Sequence, residues 1–498
     1  MRKIYRITAI LLSSLFTFLL TCMPPSIIFA QQDLKSSIDS YVKTFLEEQK
    51  IPGASIALVH ENEIFYVNEW GVTGETKTAV TTQTPFIIGS ISKSFTGLAI
   101  MKLIEENLIN LEDPIKNYMP WFTLKDRQPS SKITIKQLLT HTSGISTYTG
   151  LSIADKGTIH VGALKNEVKK FSKIGLSSQP GEKYQYSSAN YLLLGALIEE
   201  VTNRPFSEYM EEHIFLPLKM KNASANEYSA IEKGYEGGFQ SWFGYPFEST
   251  VAYDNMGASY GYMTASADDL IHYIQFISKQ TTQDLLTDTS LDSYLSPLHN
   301  TRKDQSYGFG LRISDQGTDN EMIWHSGSTP DFHAEVFYMP ETTWGGVILT
   351  NKNHILEEGS LPALKKGIIS LVNGESPEPI PQYIPIIPFI LLGMGLACII
   401  LSISVILKLK TGKLQYRLFW YISGITLILL SISAIPLFSF VAGVPWQSIT
   451  VFAPDIAFLT KVLVLLIALN GLLFISVPVK QKIKFISIER RVKIEKAV

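Results

Sequence analysis

Thr84–Asn107 reads TPFIIGSISKSFTGLAIMKLIEEN. An apolar run, Phe86 to Ile88, meets Gly89 and then Ser90-Ile91-Ser92-Lys93. Beyond it, Phe95, Leu98, Ala99, Met101, Leu103 and Ile104 recur near helical spacing. The pattern predicts a short extended run, a turn at Gly89 and a helix starting at the serine. Residues three apart share a helix face, so Ser90 and Lys93 stand side by side. A serine hydroxyl needs an adjacent base to act as a nucleophile, and a partly desolvated lysine can serve. The helix N-terminus adds free N–H groups and a positive field, which suit a developing oxyanion.

A second Ser-x-x-Lys occurs at Ser40-Tyr41-Val42-Lys43. It lies in a polar amphipathic segment without the strand-turn-helix setting, so the chemistry is assigned to Ser90. At 498 residues the chain is long enough for more than one structural unit. A net charge of −2 gives no reason to expect a nucleic-acid partner. Cys22 and Cys398 both fall in apolar segments, leaving no disulfide, thiolate zinc site or cysteine nucleophile between them.

Taken in order, Arg2, Lys3 and Arg6 precede an apolar run from Ile7 to Leu20, and Ala30 precedes Gln31-Gln32. Residues 1–30 have the layout of a secretory signal peptide. A helix is expected from Asp33 to Glu48, ending at Pro52-Gly53, then strands at Ser55–His60 and Ile64–Glu69 around a polar turn. After the serine helix, residues 111–295 are mostly helical pattern and long loops. Strands are expected again at Tyr307–Ile313, Met322–Trp324, Ala334–Met339 and Gly345–Thr350, with a last helix over Leu361–Val372. Short turns between them imply an antiparallel sheet whose strands come from both ends of the domain, with an all-α subdomain inserted between. The fold class is α/β plus an all-α subdomain over residues 31–375.

A proline-rich linker at 376–383 leads into 384–480, expected to hold three transmembrane helices. Pro379–Leu407 and Leu418–Pro454 contain no charged residue, and Ile456–Val479 carries Lys461 near one end. Basic residues cluster at Lys408, Lys410, Lys413 and Arg417, and again in the tail 481–498, whereas the loop 441–455 has none. Basic segments stay cytoplasmic. Three spans then put residues 31–383 outside the cell, in agreement with the leader.

Two further stretches carry chemistry. Pro180-Gly181-Glu182-Lys183-Tyr184-Gln185-Tyr186-Ser187-Ser188-Ala189-Asn190-Tyr191 sets Tyr186 just before an apolar helix. A phenol beside a lysine ammonium can be held as phenolate and act as a base. Trp324-His325-Ser326-Gly327-Ser328 enters a strand, and Gly327 would let a substrate backbone approach its edge.

In this order and spacing, FIIGSISKSFTG, YSSANYLLLG and HSG resemble the three motifs of serine β-lactamase and penicillin-binding-protein-like hydrolases, in particular the class C-like branch, peptidase family S12. LLTHTSGI, Leu138 to Ile145, matches a stretch common in that family. The resemblance covers about residues 33–373 and implies a β-lactamase/transpeptidase-like fold. It implies that Ser90 is acylated, that Lys93 and Tyr186 share the base role, and that the N–H groups of Ser90 and Ser328 form an oxyanion hole. His325 and Gly327 would line the strand that binds the acyl part. Ser188 stands where many relatives have an asparagine that touches the substrate amide. No metal or organic cofactor is implied.

With the leader and three C-terminal spans, the chain is similar to a membrane-bound subset that includes Flp-type homologues and D-asparaginyl prodrug peptidases. Thr329 stands where the latter carry an asparagine, so D-Asn specificity is not expected. The resemblance implies a membrane-anchored extracytoplasmic hydrolase whose partners are membrane lipid and a peptide or β-lactam-like substrate, cleaving amide bonds in peptides with D-residues. The alternatives are a β-lactamase or esterase, or a weakly catalytic sensor of penicillin or cell-wall peptides.

Overall fold

The computed structural model describes residues 25–160, 162–279, 285–411 and 418–495. Residues 1–24 of the expected leader, and Lys413 and Arg417 of the first basic cluster, lie outside them. The chain divides into two units. One holds helix α1, Pro25–Gln49, and a later helix, Pro362–Val372, joined by a bond from the Tyr41 hydroxyl to the Ala363 carbonyl of 3.0 Å. Tyr41 lies over Gly367, where a Cβ would come within 2.2 Å of its ring.

The other unit contains the sheet, the helical part and the C-terminal helices. Eight antiparallel strands lie in the order β2-β1-β12-β11-β10-β9-β8-β7. They are β1 Gly53–His60, β2 Glu63–Gly71, β7 His299–Arg302, β8 Gln305–Gly308, β9 Leu311–Ser314, β10 Met322–Ser328, β11 His333–Met339 and β12 Trp344–Thr350. Early and late strands meet where β1 pairs with β12, Ile56 opposite Ile348. β1 is buried through Val59, as its nearly unbroken apolar sequence requires of a strand covered on both faces.

The expected strand Tyr307–Ile313 is instead the hairpin β8–β9. Phe309 and Gly310 both take positive φ, +48° and +81°, the geometry of a tight two-residue hairpin turn. The expected strand Met322–Trp324 runs on through the third motif to Ser328. A second small sheet, missed by the sequence pattern, sets β4, Phe239–Trp242, between β5, Tyr245–Glu248, and β13, Lys352–Asn353. A third pairs β3, Phe86–Ile87, with β6, Thr264–Ala265.

Helix α2, Ser92–Glu105, is buried on every side through Met101, so it is the central helix rather than an amphipathic surface one. It packs on α4, Ser188–Thr202, which also meets α3, Thr147–Ile153. Helix α5, Ala267–Ile277, lies against β1, β11 and β12, with its N-terminus closed by a reciprocal Ser266–Asp269 capping box.

With the Pro362–Val372 helix counted as α6, three helices among the described residues are long and apolar enough to cross a membrane: α7 Ile386–Lys410, α8 Leu418–Ala442, and the first 24 residues of α10, Pro454–Glu495. Helix α8 is continuous through Pro436, and α10 continues well beyond the expected end at Val479. Gly424 and Gly471 face each other so closely that a Cβ on either would sit 2.8–2.9 Å from the other's carbonyl oxygen. Small residues permit such backbone approach between apolar helices. The Ser402 hydroxyl bonds Asn470 Oδ1 at 2.9 Å, a polar tie between α7 and α10. Residues 446–452, expected as loop, form a short helix, α9, Trp446–Phe452.

Candidate active site

Ser90 stands on a single tight turn, Gly89–Ile91, that runs directly into α2. The turn is pinned from two sides. The Ile88 N–H donates to the Met263 carbonyl at 2.9 Å, and the Met263 N–H donates to the Ser92 hydroxyl at 3.2 Å. Gly89 has φ +53°, and a Cβ there would meet the Ser328 nitrogen at 2.3 Å. A Cβ on Gly327 would meet the Ile88 carbonyl oxygen at 1.9 Å. The space at Gly327 is therefore used by the turn that carries Ser90 rather than left open for a substrate backbone. Only glycine at both places lets the backbone of the third motif come against the serine turn.

Lys93 is fully buried, with Nζ 3.0 Å from the Ser90 hydroxyl and 2.6 Å from the Tyr260 carbonyl. Burial pulls its pKa down to about 7, with the Arg312 charge adding to the shift and Asp155 opposing it. The amine is thus half in its basic form near neutrality. Ser90 itself is partly exposed, so the enclosed amine sits behind a hydroxyl that solvent can reach.

The Tyr186 hydroxyl is buried and makes no hydrogen bond of full geometry among the described residues, although it lies close enough to Ser90 and Tyr307 for both to favour its ionised form. Burial nevertheless raises its pKa. The resting site therefore holds a neutral phenol, not the phenolate expected beside a lysine ammonium. Lys93 Nζ stands 5.0 Å from the Tyr186 ring centre.

His325 is buried on β10. Its Nδ1 is 2.6 Å from the Ser326 carbonyl, so that nitrogen carries a proton and donates, and Nε2 receives the Tyr307 hydroxyl at 3.3 Å. Its ring faces Tyr186 at 6.3 Å. The Ser328 hydroxyl donates to Glu358 Oε1 and lies 3.3 Å from His333 Nδ1. Ser188 opens α4 and is partly exposed. Asn190, two residues on, is fully buried: it accepts from the Ser143 hydroxyl at 2.6 Å and donates to His141 Nδ1 at 3.1 Å. It ties the wall of the site together through these two bonds. Ser40 and Lys43, the second Ser-x-x-Lys, are exposed on α1.

Two site residues escaped the sequence reading. Arg312, on β9 opposite Trp324, places its guanidinium 5.4 Å from the Tyr186 ring centre and 5.6 Å from those of Tyr307 and Trp324. Only cross-strand register brings it there, and no local motif signals it. His141, from the LLTHTSGI stretch, lies against Tyr186 with ring centres 4.4 Å apart and planes tilted by 41°, and has φ +57°. It is held neutral, its pKa lowered well below the usual value by burial and by Lys93, Arg312 and His325. The Ser187 N–H donates to its Nδ1 at 3.1 Å, which fixes the stretch before α4.

Ser90 on the turn into a central helix, the buried Lys93 amine behind it and the third motif on the neighbouring strand are thus brought together on one antiparallel sheet. The family model described as Beta-lactamase matches residues 38–365, and the chain belongs to that family. It is similar to Protein flp of Staphylococcus aureus (strain MW2), 29% identical over 329 residues, a match that spans 64% of each chain. It is also similar to a penicillin-binding protein of Bacillus subtilis (strain 168), 25% identical over 343 residues, covering 66% of this chain and 74% of that one. The solved structure of the octameric penicillin-binding protein homologue from Pyrococcus abyssi shares the fold, with a TM-score of 0.57 at 24% identity over 69% of this chain and 78% of that one.

Proposed function

We propose that the protein is a membrane-anchored extracytoplasmic serine hydrolase that forms an acyl-enzyme at Ser90 and cleaves amide bonds in peptides containing D-residues. One observation carries the chemistry: the Lys93 amine stands 3.0 Å from the Ser90 hydroxyl with its pKa lowered to about 7. Neutral Lys93 takes the Ser90 proton as Oγ attacks the carbonyl carbon. The C–O bond forms and the carbonyl becomes an oxyanion, received by the N–H groups of Ser90 and Ser328. The neutral Tyr186 phenol gives its proton to the leaving amine as the C–N bond breaks and regains one from Lys93. Water then attacks the ester, with the same groups acting in reverse.

Substrate class is supported by two features. Arg312 offers a guanidinium beside the phenols of the site, suited to a carboxylate such as a peptide C-terminus or that of a penicillin. The Bacillus relative is called a penicillin-binding protein. The membrane reading draws on the three apolar helices and on the basic residues that flank them.

Intact-mass analysis of the solubilised chain with a fluorescent penicillin, followed by a panel of D-peptides, tests this reading. A mass gain at Ser90 with turnover of one peptide class supports it. Acylation without release marks a sensor, and absence of any adduct across the penicillin and peptide panel overturns the acyl-enzyme.

A further inference from the structure

The hairpin β4–β5 ends in aromatic side chains turned outward. Tyr245 is 63% exposed and Phe247 56%. Its two-residue turn, Phe243–Gly244, has φ +53° and +80°, which makes the tip sharp. The tip meets the ends of the apolar helices. The Phe243 ring is 5.1 Å from Phe389, in the first turn of α7, and the Trp242 ring is 5.9 Å from Phe458, in the first turns of α10. Gly244 faces Pro385, just before α7, where a Cβ would lie 3.4 Å from the proline ring.

Polar bonds lock this placement. The Phe243 N–H donates to Asp455 Oδ2 at 3.0 Å, and Gln240 Nε2 donates to the Val451 carbonyl. Asp455 Oδ1 lies 3.1 Å from His354 Nε2, both side chains buried, and the Ile355 N–H donates to the Phe452 carbonyl at 2.9 Å. Behind the tip, Glu248 pairs with Lys77 at 2.8 Å, so charge returns within one residue of Phe247.

We infer that the β4–β5 hairpin is a membrane-interface element, with Tyr245 and Phe247 lying in the headgroup layer of the leaflet where α7 and α10 begin. The occupant of this surface is lipid, because the same aromatic patch continues onto Phe389 and Phe458, which are themselves 56% and 55% exposed on apolar helices. Tyrosine favours that layer, where its apolar ring and polar hydroxyl are both satisfied, the exposed Phe247 ring adds apolar area beside it, and the Lys77–Glu248 pair marks the water side. The seat is coupled to the site. β4 pairs in parallel with β13, Gln240 beside Asn353, and Asn353 Nδ2 donates to the Thr329 carbonyl at 2.7 Å, one residue past Ser328. The hairpin therefore fixes the depth of the third-motif turn relative to the bilayer surface, which favours substrates held close to it.

The inference rests on reading the three helices as spans. Its test uses the full chain with Cys22 and Cys398 replaced by serine, reconstituted in phosphatidylglycerol–phosphatidylethanolamine vesicles. Single cysteines at Tyr245, Phe247, Leu401 on α7 and Tyr228, 74% exposed on the short helix Glu227–Glu232, carry an environment-sensitive fluorophore. Iodide, on both sides of the membrane, and lipids spin-labelled at shallow or deep positions serve as quenchers. Labels at 245 and 247 should be quenched several-fold more by the shallow lipid than by the deep one, and several-fold less by iodide than the label at 228. The Leu401 label should follow the deep lipid. If 401 lies in lipid while 245 and 247 behave like 228, the hairpin does not touch the membrane and the inference falls. If 401 is reached by iodide, the span reading itself falls, and the inference with it.

Discussion

Lys93 Nζ lies 3.0 Å from Ser90 Oγ, and the lysine side chain has no exposure to solvent. The serine is the partly exposed member of the pair and the lysine the enclosed one. Ser90→Ala should therefore abolish covalent labelling by a fluorescent penicillin. Ser40→Ala should leave it intact, because Ser40 and Lys43 are both exposed on α1 and not enclosed as Lys93 is. Labelling that survives Ser90→Ala, read by gel fluorescence and intact mass, would place the nucleophile elsewhere.

The same burial sets a pH dependence in both rate and stability. Acylation as proposed needs the neutral amine, so kcat/KM should fall about tenfold per pH unit below about 7. The folded-state pKa is lowered from 10.5, so between about 7 and 10.5 the unfolded chain binds more protons than the folded one. Stability therefore rises with pH across that window, and below about 7 the full cost of burying the charge, on the order of a few kcal/mol, is present. Lys93→Met should be inactive yet melt higher than the parent at pH 6, with the gap narrowing by pH 10. Thermal melts at the two pH values check this, and a variant that melts lower at pH 6 would contradict it.

The Tyr186 hydroxyl is buried as a neutral phenol within reach of Ser90. Tyr186→Phe and Lys93→Ala should each lower turnover by roughly two to four orders of magnitude, the range for positioned acid–base groups. The double variant should lose little more than the worse single one, since both act on one proton path. Additive losses in kcat would separate the two roles.

The legible part of this molecule was the part governed by local periodicity. Ser90 and Lys93 stand together because helix geometry alone brings residues three apart onto one face. The antiparallel sheet with strands from both ends of the domain followed from short apolar runs joined by short turns, and the three long apolar helices from their length and missing charges. What stayed hidden depends on pairing across the chain. Arg312 enters the site through its register with Trp324. The hairpins at Phe309–Gly310 and Phe243–Gly244 place a phenylalanine at positive φ, a position where asparagine would have signalled the turn. Asn190, two residues past Ser188, is buried in the wall of the site. Its partners, Ser143 and His141, come from a stretch nearly fifty residues away, which no local pattern reveals.

His354 and Asp455 are buried together at 3.1 Å, one in the loop after β13 and the other in the first turn of α10. Asp455 also accepts the Phe243 N–H. Asp455→Ala would leave an imidazole and an amide buried without that acceptor and should cost about 3–5 kcal/mol, the range for breaking a buried pair. Adding His354→Ala should recover part of the loss. A double-mutant cycle on thermal melts of the full chain in detergent reads the coupling, and no coupling would reduce the contact to coincidence.

Topology can be read at two positions. An odd number of spans takes an external hydrolase to an internal C-terminus, and basic segments resist translocation while acidic ones contribute little. Residues 408–417 and 480–498 should then be cytoplasmic, and 441–455 external with the hydrolase. Helix α8 is continuous through Pro436, as a full span requires and a re-entrant segment does not. The Gln447 amide bonds the Asp155 carbonyl at 3.4 Å, and the Ile355 N–H bonds the Phe452 carbonyl, so the α9 segment lies against the same unit that carries Ser90. Gln447 is exposed on α9 and accessible to a reagent. With Cys398 replaced, a cysteine at Gln447 in intact cells should react with an impermeant maleimide, and one at Gln481 only after the membrane is opened. Reaction at Gln481 in intact cells would require two spans or four, and the hydrolase would then have to be held on the membrane in another way.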